Sequence, residues 1–314
     1  MKITTKKINL YGKDTDPLNG VKNAYDTSYF AFRQPCIHMI VGQRGQGKSH
    51  NCSKLISQAQ KEKTFDSIYL ISPSAKSNEA YFGKFIPDEN IYKPTKDSVE
   101  KVIERVEEER DEFDEYLRKE KLYKEFLQIL KSKREFSDGE IIKFQELGFL
   151  DDEFDRPKWK YDSVRPPQSL LILDDVLSSP AILQSSGIVK AFTLNRHISP
   201  LQEPHSGRSA CGLAVILISQ TYTMPQGVSR TLRENITHLL LFKNKQEKQM
   251  SKIREELGSA VDEDKFMTAY NMATKEKYGN LLVDFNPRCP TMTFRKNLNE
   301  LIIFEDDKEQ CNCG

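Results

Sequence analysis

Gly42-Gln43-Arg44-Gly45-Gln46-Gly47-Lys48-Ser49 fits the pattern G-x-x-x-x-G-K-[ST] at every fixed position. Glycines let consecutive backbone amides turn inward into an anion-binding nest, and a following helix aims its positive N-terminus at the same point. A lysine at position 48 can reach the β- and γ-phosphates of a nucleotide, and the Ser49 hydroxyl can ligate magnesium. Such an octapeptide also arises by chance as a glycine turn, so its flanks decide the reading. Cys36 to Val41 is mostly apolar and supplies the strand before the loop. Asn51 to Gln60 supplies the helix after it, with Leu55, Ile56 and Ala59 on the inner face. Gly42 through Ser49, with His50 next along, are therefore candidate nucleotide contacts. The earlier Gly12-Lys13-Asp14-Thr15 has no such context and reads as a turn.

Further apolar runs follow: Ser67 to Ile71, Ser169 to Leu173, Leu213 to Ser219, His238 to Phe242 and Asn280 to Asp284. They are continuous rather than alternating, and helical patterns separate them. That predicts an α/β sheet covered on both faces, the three-layer sandwich of a P-loop NTPase. Two of these runs end in polar residues with chemical use. Ser169-Leu170-Leu171-Ile172-Leu173-Asp174-Asp175 delivers two carboxylates. Asp174 is placed to hold hydrated magnesium together with Ser49, and Asp175 to orient or deprotonate the attacking water. The bland alternative is a strand end followed by a turn, and the phosphate loop in the same chain weighs against it. Leu213 to Ser219 ends in Gln220, whose amide can bond both a water and a γ-phosphate oxygen. Its bland alternative is a strand-end side chain satisfied by the next loop.

The chain has 314 residues, 38% hydrophobic and 30% charged, with 47 basic against 46 acidic residues. That is ample for a large core, and the net charge of +1 gives no global argument for nucleic acid, so any anion-binding surface is local. We expect a polar, turn-rich segment at 1–30 carrying one short strand near Ile3 to Leu10. An ATPase domain at 31–300 follows, interrupted by a helical insertion at 97–160, and then an acidic, frayed tail at 301–314. Within the insertion, residues 97–135 repeat apolar positions at helical spacing among mixed charges. They predict two long amphipathic helices or a helical hairpin, either packed on the core by one stripe or serving as a partner-binding arm. Residues 151–168 read as a connector. The N-terminus lacks the apolar stretch of a secretory signal and no run reaches transmembrane length, so a soluble intracellular protein with no membrane requirement is expected. Six scattered cysteines suggest free thiols, and neither Cys311-Asn312-Cys313 nor His38 and His50 has spacing for a structural metal.

Together, the phosphate loop, Leu173-Asp174-Asp175, Asn195-Arg196-His197, Leu217-Ile218-Ser219-Gln220 and Leu232-Arg233-Glu234-Asn235 resemble the FtsK–HerA superfamily. The genome-packaging ATPases of poxviruses, other large DNA viruses, virophages and Polinton elements look most alike. Ile71-Ser72-Pro73-Ser74 and the late strand Asn280 to Asp284 fit the same layout, over residues 30 to 295 or so. The resemblance implies an additional-strand, RecA-like sheet, with Leu213 to Ser219 inserted between the phosphate-loop strand and the acidic strand. It also implies ATP and Mg2+ as cofactors, Gln220 as a sensor of the γ-phosphate, and Arg233 as an arginine able to neutralise γ-phosphate charge in its own subunit or a neighbour. A pentameric or hexameric ring would pump double-stranded DNA into a capsid, engaging portal or vertex proteins at the site of virus assembly in the host cell. Two departures stand out: an Asp-Asp pair where bacterial relatives carry glutamate, a pair the viral branch does use, and an inserted stretch Ser199 to Gly212. DNA phosphates would be met by Asn195 to Ser209, within which the Arg196 to Arg208 loop is the preferred pore-facing candidate, or by Lys243 to Lys248.

Other readings stay open. A nucleoside or nucleotide kinase would use Arg230 and Arg233 as part of a lid, but leaves the Ser-Gln strand tip without work. A nucleotide-binding assembly scaffold would bind without turnover, against which Asp174 and Asp175 argue. A terminase-like motor needs a nuclease domain for which the chain after Asp284 has no room.

Overall fold

The computed structural model describes residues 2–7, 25–26, 33–74, 79–151, 156–176, 179–223, 229–257 and 261–309. The turns expected between Gly12 and Gly20, and Cys311-Asn312-Cys313, lie outside these residues. In chain order the strands are β1 (Ile3–Lys7), β2 (Tyr25–Asp26), β3 (Arg33–Gln34), β4 (Ile37–Val41), β5 (Ser67–Ile71), β6 (Ile91–Tyr92) and β7 (Ser169–Asp174). Then come β8 (Pro200–His205), β9 (Arg208–Ala210), β10 (Leu213–Ser219), β11 (His238–Phe242), β12 (Asn280–Asp284), β13 (Phe294–Lys296) and β14 (Glu300–Phe304). Ten of them form one sheet in the order β1-β14-β13-β12-β11-β4-β10-β7-β5-β6. From β11 to β6 the pairs are parallel, and from β11 outward to β1 they are antiparallel.

Every residue of β4, β7, β10, β11 and β12 is buried, which is why these strands appear in the sequence as unbroken apolar runs. Alternate residues serve two cores. Leu213, Val215 and Leu217 of β10 face one, and Ala214, Ile216 and Ile218 the other. Helix α1 (Lys48–Lys61) covers the second with Cys52, Leu55, Ile56 and Ala59. Each fully buried aliphatic side chain contributes roughly 1.5–3 kcal/mol, so β10 is driven strongly into the middle of the sheet.

There β10 lies between β4 and β7, with Ser219 opposite Val41 and Ile218 opposite Asp174. The inserted strand expected beside the phosphate-loop strand is present. In open parallel sheets, ligands bind at the carboxyl ends of strands, and here the ends of β4, β10 and β7 stand side by side.

After the short helix α2 (Glu79–Phe82), the insertion differs from expectation. A single 35-residue helix, α3 (Ser98–Ser132), replaces the expected pair over 97–135 and spans about 52 Å at 1.5 Å per residue. No proline or glycine interrupts it. Its first half joins the main core through Val99, Val102, Ile103, Val106 and Phe113. Its second half pairs instead with α4 (Asp138–Glu146), which Ser137 and Glu140 start as a reciprocal capping box. Phe126, Ile129, Phe144 and Phe149 form a separate small core there.

The other face of the sheet is covered by α5 (Pro180–Leu183), α6 (Ser186–Thr193), α7 (Arg230–Arg233), α8 (Glu247–Leu257) and α9 (Glu263–Ala273), together with α3. At the chain's far end, β14 pairs with all five residues of β1, Phe304 is fully buried, and α10 (Glu305–Glu309) follows. The sheet therefore takes up residues that the sequence reading placed in a frayed tail. Among the described cysteines, Cys36, Cys52 and Cys211 are free and buried, whereas Cys289 is disulfide-bonded, against the expectation of free thiols throughout. No helix among the described residues is long and apolar enough to cross a membrane.

Candidate nucleotide site

The loop from Gly42 to Gly47 leaves the end of β4 and enters α1 without a break. Gly45 and Gly47 have φ of 80° and 91°, left-handed backbone that glycine adopts without cost and that turns the loop's amides inward. Gly42 matters for closeness instead. A Cβ there would lie 2.8 Å from Phe242 Cβ and 2.8 Å from Gln46 Oε1. Gln46 fastens the loop at both ends: its Oε1 accepts from the Gln43 amide at 2.6 Å and its Nε2 donates to the Lys243 carbonyl at 2.6 Å. Lys48 donates to the Gln43 carbonyl at 3.2 Å, curling over the nest. Burial pushes the Lys48 ammonium below its usual value, with Asp175 and Asp174 opposing that shift.

Asp174 ends β7, buried, and accepts from the Ser72 hydroxyl at 3.3 Å. Asp175 leaves the strand with φ of 53°, left-handed backbone uncommon outside glycine and found where function over-determines the geometry. Its amide donates to the Ile218 carbonyl at 3.3 Å, and its Oδ1 accepts from Gln220 Nε2 at 3.2 Å. The two carboxylates, Gln220, Lys48 and Ser49 thus line one cleft of about 1290 Å³. Arg44, Gly45, Gly47 and His50 line it too. Ser49 and Asp174 offer a hydroxyl and a carboxylate, the hard oxygen donors that suit Mg2+.

Arg233, by contrast, is not brought to the cleft. It ends α7 and pairs with Glu256 of α8 through two hydrogen bonds, of 2.8 and 2.6 Å. Its guanidinium also lies 5.3 Å from the Tyr222 ring centroid. Both charged side chains are nearly out of water, 8% and 11% exposed. Asn235 bonds within its own turn, to the Thr231 carbonyl at 2.8 Å.

Most of the preferred DNA-facing loop, Arg196 to Arg208, lies within a hairpin. Ser199 to Gly212 folds as the hairpin β8–β9 against α3, where Arg110 donates to the Pro200 carbonyl at 2.8 Å and the Gln202 amide to Asp114 at 3.2 Å. His205 packs edge-on against Phe113, and Arg208 is buried with its guanidinium donating to the Cys211 carbonyl. Asn195 is buried and donates to the Pro35 carbonyl at 3.3 Å. Within that stretch Arg196 is half-buried and His197 exposed. Lys243, Lys245 and Lys248 are exposed, next to the phosphate loop.

Several cleft residues were missed in the sequence: Lys54 and Lys61 on α1, and Tyr278, Asn280, Asn297 and Asn299 beyond β11. No local signal marks the four beyond β11, because the β12 to β14 strands reach the cleft only through long-range pairing. The same holds for Cys36, His38 and His238, three buried groups able to bind a metal, whose ligand atoms lie within 4.8 Å of one another. The β4–β11 register sets His38 opposite His238, with ring centroids 4.4 Å apart. Neither histidine has ligand spacing in the chain.

No protein-family model and no curated protein sequence matches this chain. Solved structures do. The genome packaging NTPase B204 from Sulfolobus turreted icosahedral virus 2, in complex with ATP-gammaS, aligns with a TM-score of 0.43 and 14% identity over 84% of this chain and 97% of that one. The pCW3 conjugation coupling protein TcpA, with ATPgS, aligns with a TM-score of 0.43 and 13% identity over 96% of this chain and 72% of that one. The cytoplasmic domain of EssC aligns with a TM-score of 0.34 and 16% identity over 70% of this chain and 35% of that one. What this chain itself displays is the P-loop α/β fold, with an extra strand between its phosphate loop and its acidic strand.

Proposed function

We propose that this protein hydrolyses ATP and uses the energy to translocate double-stranded DNA. The observation that carries the hydrolytic part is the meeting of Lys48, Ser49, Asp174, Asp175 and Gln220 in one cleft. In this reading the loop amides and Lys48 cradle the β- and γ-phosphates, and Ser49 and Asp174 hold Mg2+, which neutralises charge on the phosphates when bound. Asp175 orients a water and takes its proton, and Gln220, bonded to Asp175, senses whether the γ-phosphate is present.

The DNA-handling part follows from the sequence resemblance to FtsK–HerA packaging ATPases. Its most specific form is a pentameric or hexameric ring that fills a preformed viral capsid, docked on portal or vertex proteins where virions assemble in the host cell. Arg233 stays a trans-acting candidate only if it leaves Glu256 in such a ring. Exposed Lys243, Lys245 and Lys248 are the better-placed phosphate contacts now that the β8–β9 hairpin is docked on α3. The deciding experiment measures ATP turnover with and without long double-stranded DNA. DNA stimulation supports the motor. Turnover that needs a nucleoside acceptor would replace it with a kinase, and nucleotide binding without turnover would leave an assembly scaffold.

A further inference from the structure

The cleft has two ends, and hydrolytic chemistry occupies only one. Along the sheet, Asp174, Asp175 and Gln220 sit at the β7 and β10 side of the phosphate loop. On the other side, beyond β11, the residues just before β12 and the β13–β14 turn close the cleft with Tyr278, Gly279, Asn280, Asn297 and Asn299. A nucleotide whose γ-phosphate points toward Asp175 must extend its base the opposite way.

Tyr278 stands at that end with the Lys277 ammonium over its ring, 5.0 Å from the centroid. It is 55% exposed, although its ring comes within 3.8 Å of where a Gly47 Cβ would lie. A large aromatic side chain exposed beside a glycine of the phosphate loop is unexplained by packing. Its backbone has φ of 65°, a left-handed conformation costly for a tyrosine, and such strain gathers at ligand sites. Gly279 locks the turn: its amide donates to the Glu276 carbonyl at 3.0 Å, and a Cβ there would lie 2.4 Å from the Ala273 carbonyl oxygen. The platform is thus presented by a rigid corner.

Carboxamides surround it. Asn280 is buried, its Nδ2 donates to the Tyr278 carbonyl at 3.3 Å, and its Oδ1 has no hydrogen-bond partner among the described residues. Asn297 accepts from the Asn280 amide at 3.3 Å and is itself exposed, while Asn299 is half-buried at the cleft wall. An asparagine amide matches the donor–acceptor edge of adenine, N6 and N7, better than that of guanine, which presents two acceptors there. We infer that Tyr278 is the stacking shelf for the nucleobase and that the Asn297 and Asn299 carboxamides select adenine, with Asn280 holding the Tyr278 corner from behind. This rests on the reading of Gly42 to Ser49 as the triphosphate site.

The test compares affinities for ATP, GTP and inorganic tripolyphosphate in the full chain. Wild-type protein should bind ATP more tightly than GTP or tripolyphosphate. Tyr278→Ala should weaken ATP about tenfold, within the range for loss of one base–aromatic stack, and leave tripolyphosphate unchanged. Tyr278→Phe should restore ATP binding, because stacking needs the ring and not the hydroxyl. Asn299→Ala should narrow the gap between ATP and GTP. Unchanged ATP affinity in Tyr278→Ala would overturn the shelf, and so would an equal loss for tripolyphosphate, which would mean a distorted loop. Lys48→Ala separates the two readings. If it abolishes tripolyphosphate binding while Tyr278→Ala does nothing, the phosphate site stands and the base shelf falls. If wild-type protein binds neither ATP nor tripolyphosphate, the phosphate site falls and the shelf with it.

Discussion

Replacing Arg233 by alanine separates a structural arginine from a catalytic one. In the fold it is half of a nearly dry ion pair, joined to Glu256 by hydrogen bonds of 2.8 and 2.6 Å and stacked on Tyr222. Removing one partner of a buried pair costs about 3–5 kcal/mol, because the other charge is left behind without compensation. Lys252 lies 3.8 Å from Glu256 and would partly compensate, so the expected loss is at the lower end, about 3 kcal/mol. At roughly 2–4 °C per kcal/mol for a chain of this size, the melting temperature should fall by about 6–12 °C. Thermal melts of Arg233→Ala, Glu256→Ala and the double variant measure this, and the double variant should lose clearly less than the two singles added. The pH dependence has a definite sign. Burial alone would raise the Glu256 carboxyl, but Arg233, Tyr222 and Lys252 together hold it below its usual value. A depressed carboxylate stabilises fully above the unfolded value of about 4.3, and that stability is lost as pH falls through the folded value. The wild-type–variant gap should therefore close in acid. The reasoning fails if Arg233→Ala melts like the parent while turnover drops by about a thousandfold or more, the mark of an arginine that acts on the γ-phosphate.

Asp175→Asn should bind ATP normally in an equilibrium titration yet turn it over about a hundredfold or more slowly; near-normal turnover would remove Asp175 as the base. Gly42→Ala should lose nucleotide affinity, since its Cβ would press on Phe242 and displace the loop; unchanged affinity in the same titration would show that the loop has room there. Chelation of Mg2+ should stop turnover and its return should restore it, as phosphate release assays report; turnover unaffected by chelation would take Ser49 and Asp174 out of metal binding.

Much of the phosphate-loop half of the cleft was legible in the chain. The phosphate loop is one contiguous motif, and Asp174, Asp175 and Gln220 are the polar tips of strands whose apolar runs announce themselves. Central parallel strands are buried on both faces, so their composition alone marks them. The inserted position of β10 came from resemblance, and the sheet order agrees with it.

Other features were decided by partners distant in sequence. Arg233 looked like a surface or finger arginine until α8 placed Glu256 beside it. Arg208 looked pore-facing until its hairpin folded onto α3. The long helix was expected as two, since amphipathic spacing sets the face of a helix and carries no mark of where it stops without a breaker. Phe304 was read as tail because a short, mixed strand such as β14 has no pattern of its own until β1 and β13 pair with it. Tyr278 could not be found at all: it reaches the phosphate loop only because β12 pairs with β11 and β11 with β4. Local chemistry, meaning which residues can cradle a phosphate or end a buried strand, is written in contiguous sequence. Which distant side chain neutralises, covers or faces it is set by strand register and helix packing, and those depend on pairings that no short stretch of the chain contains.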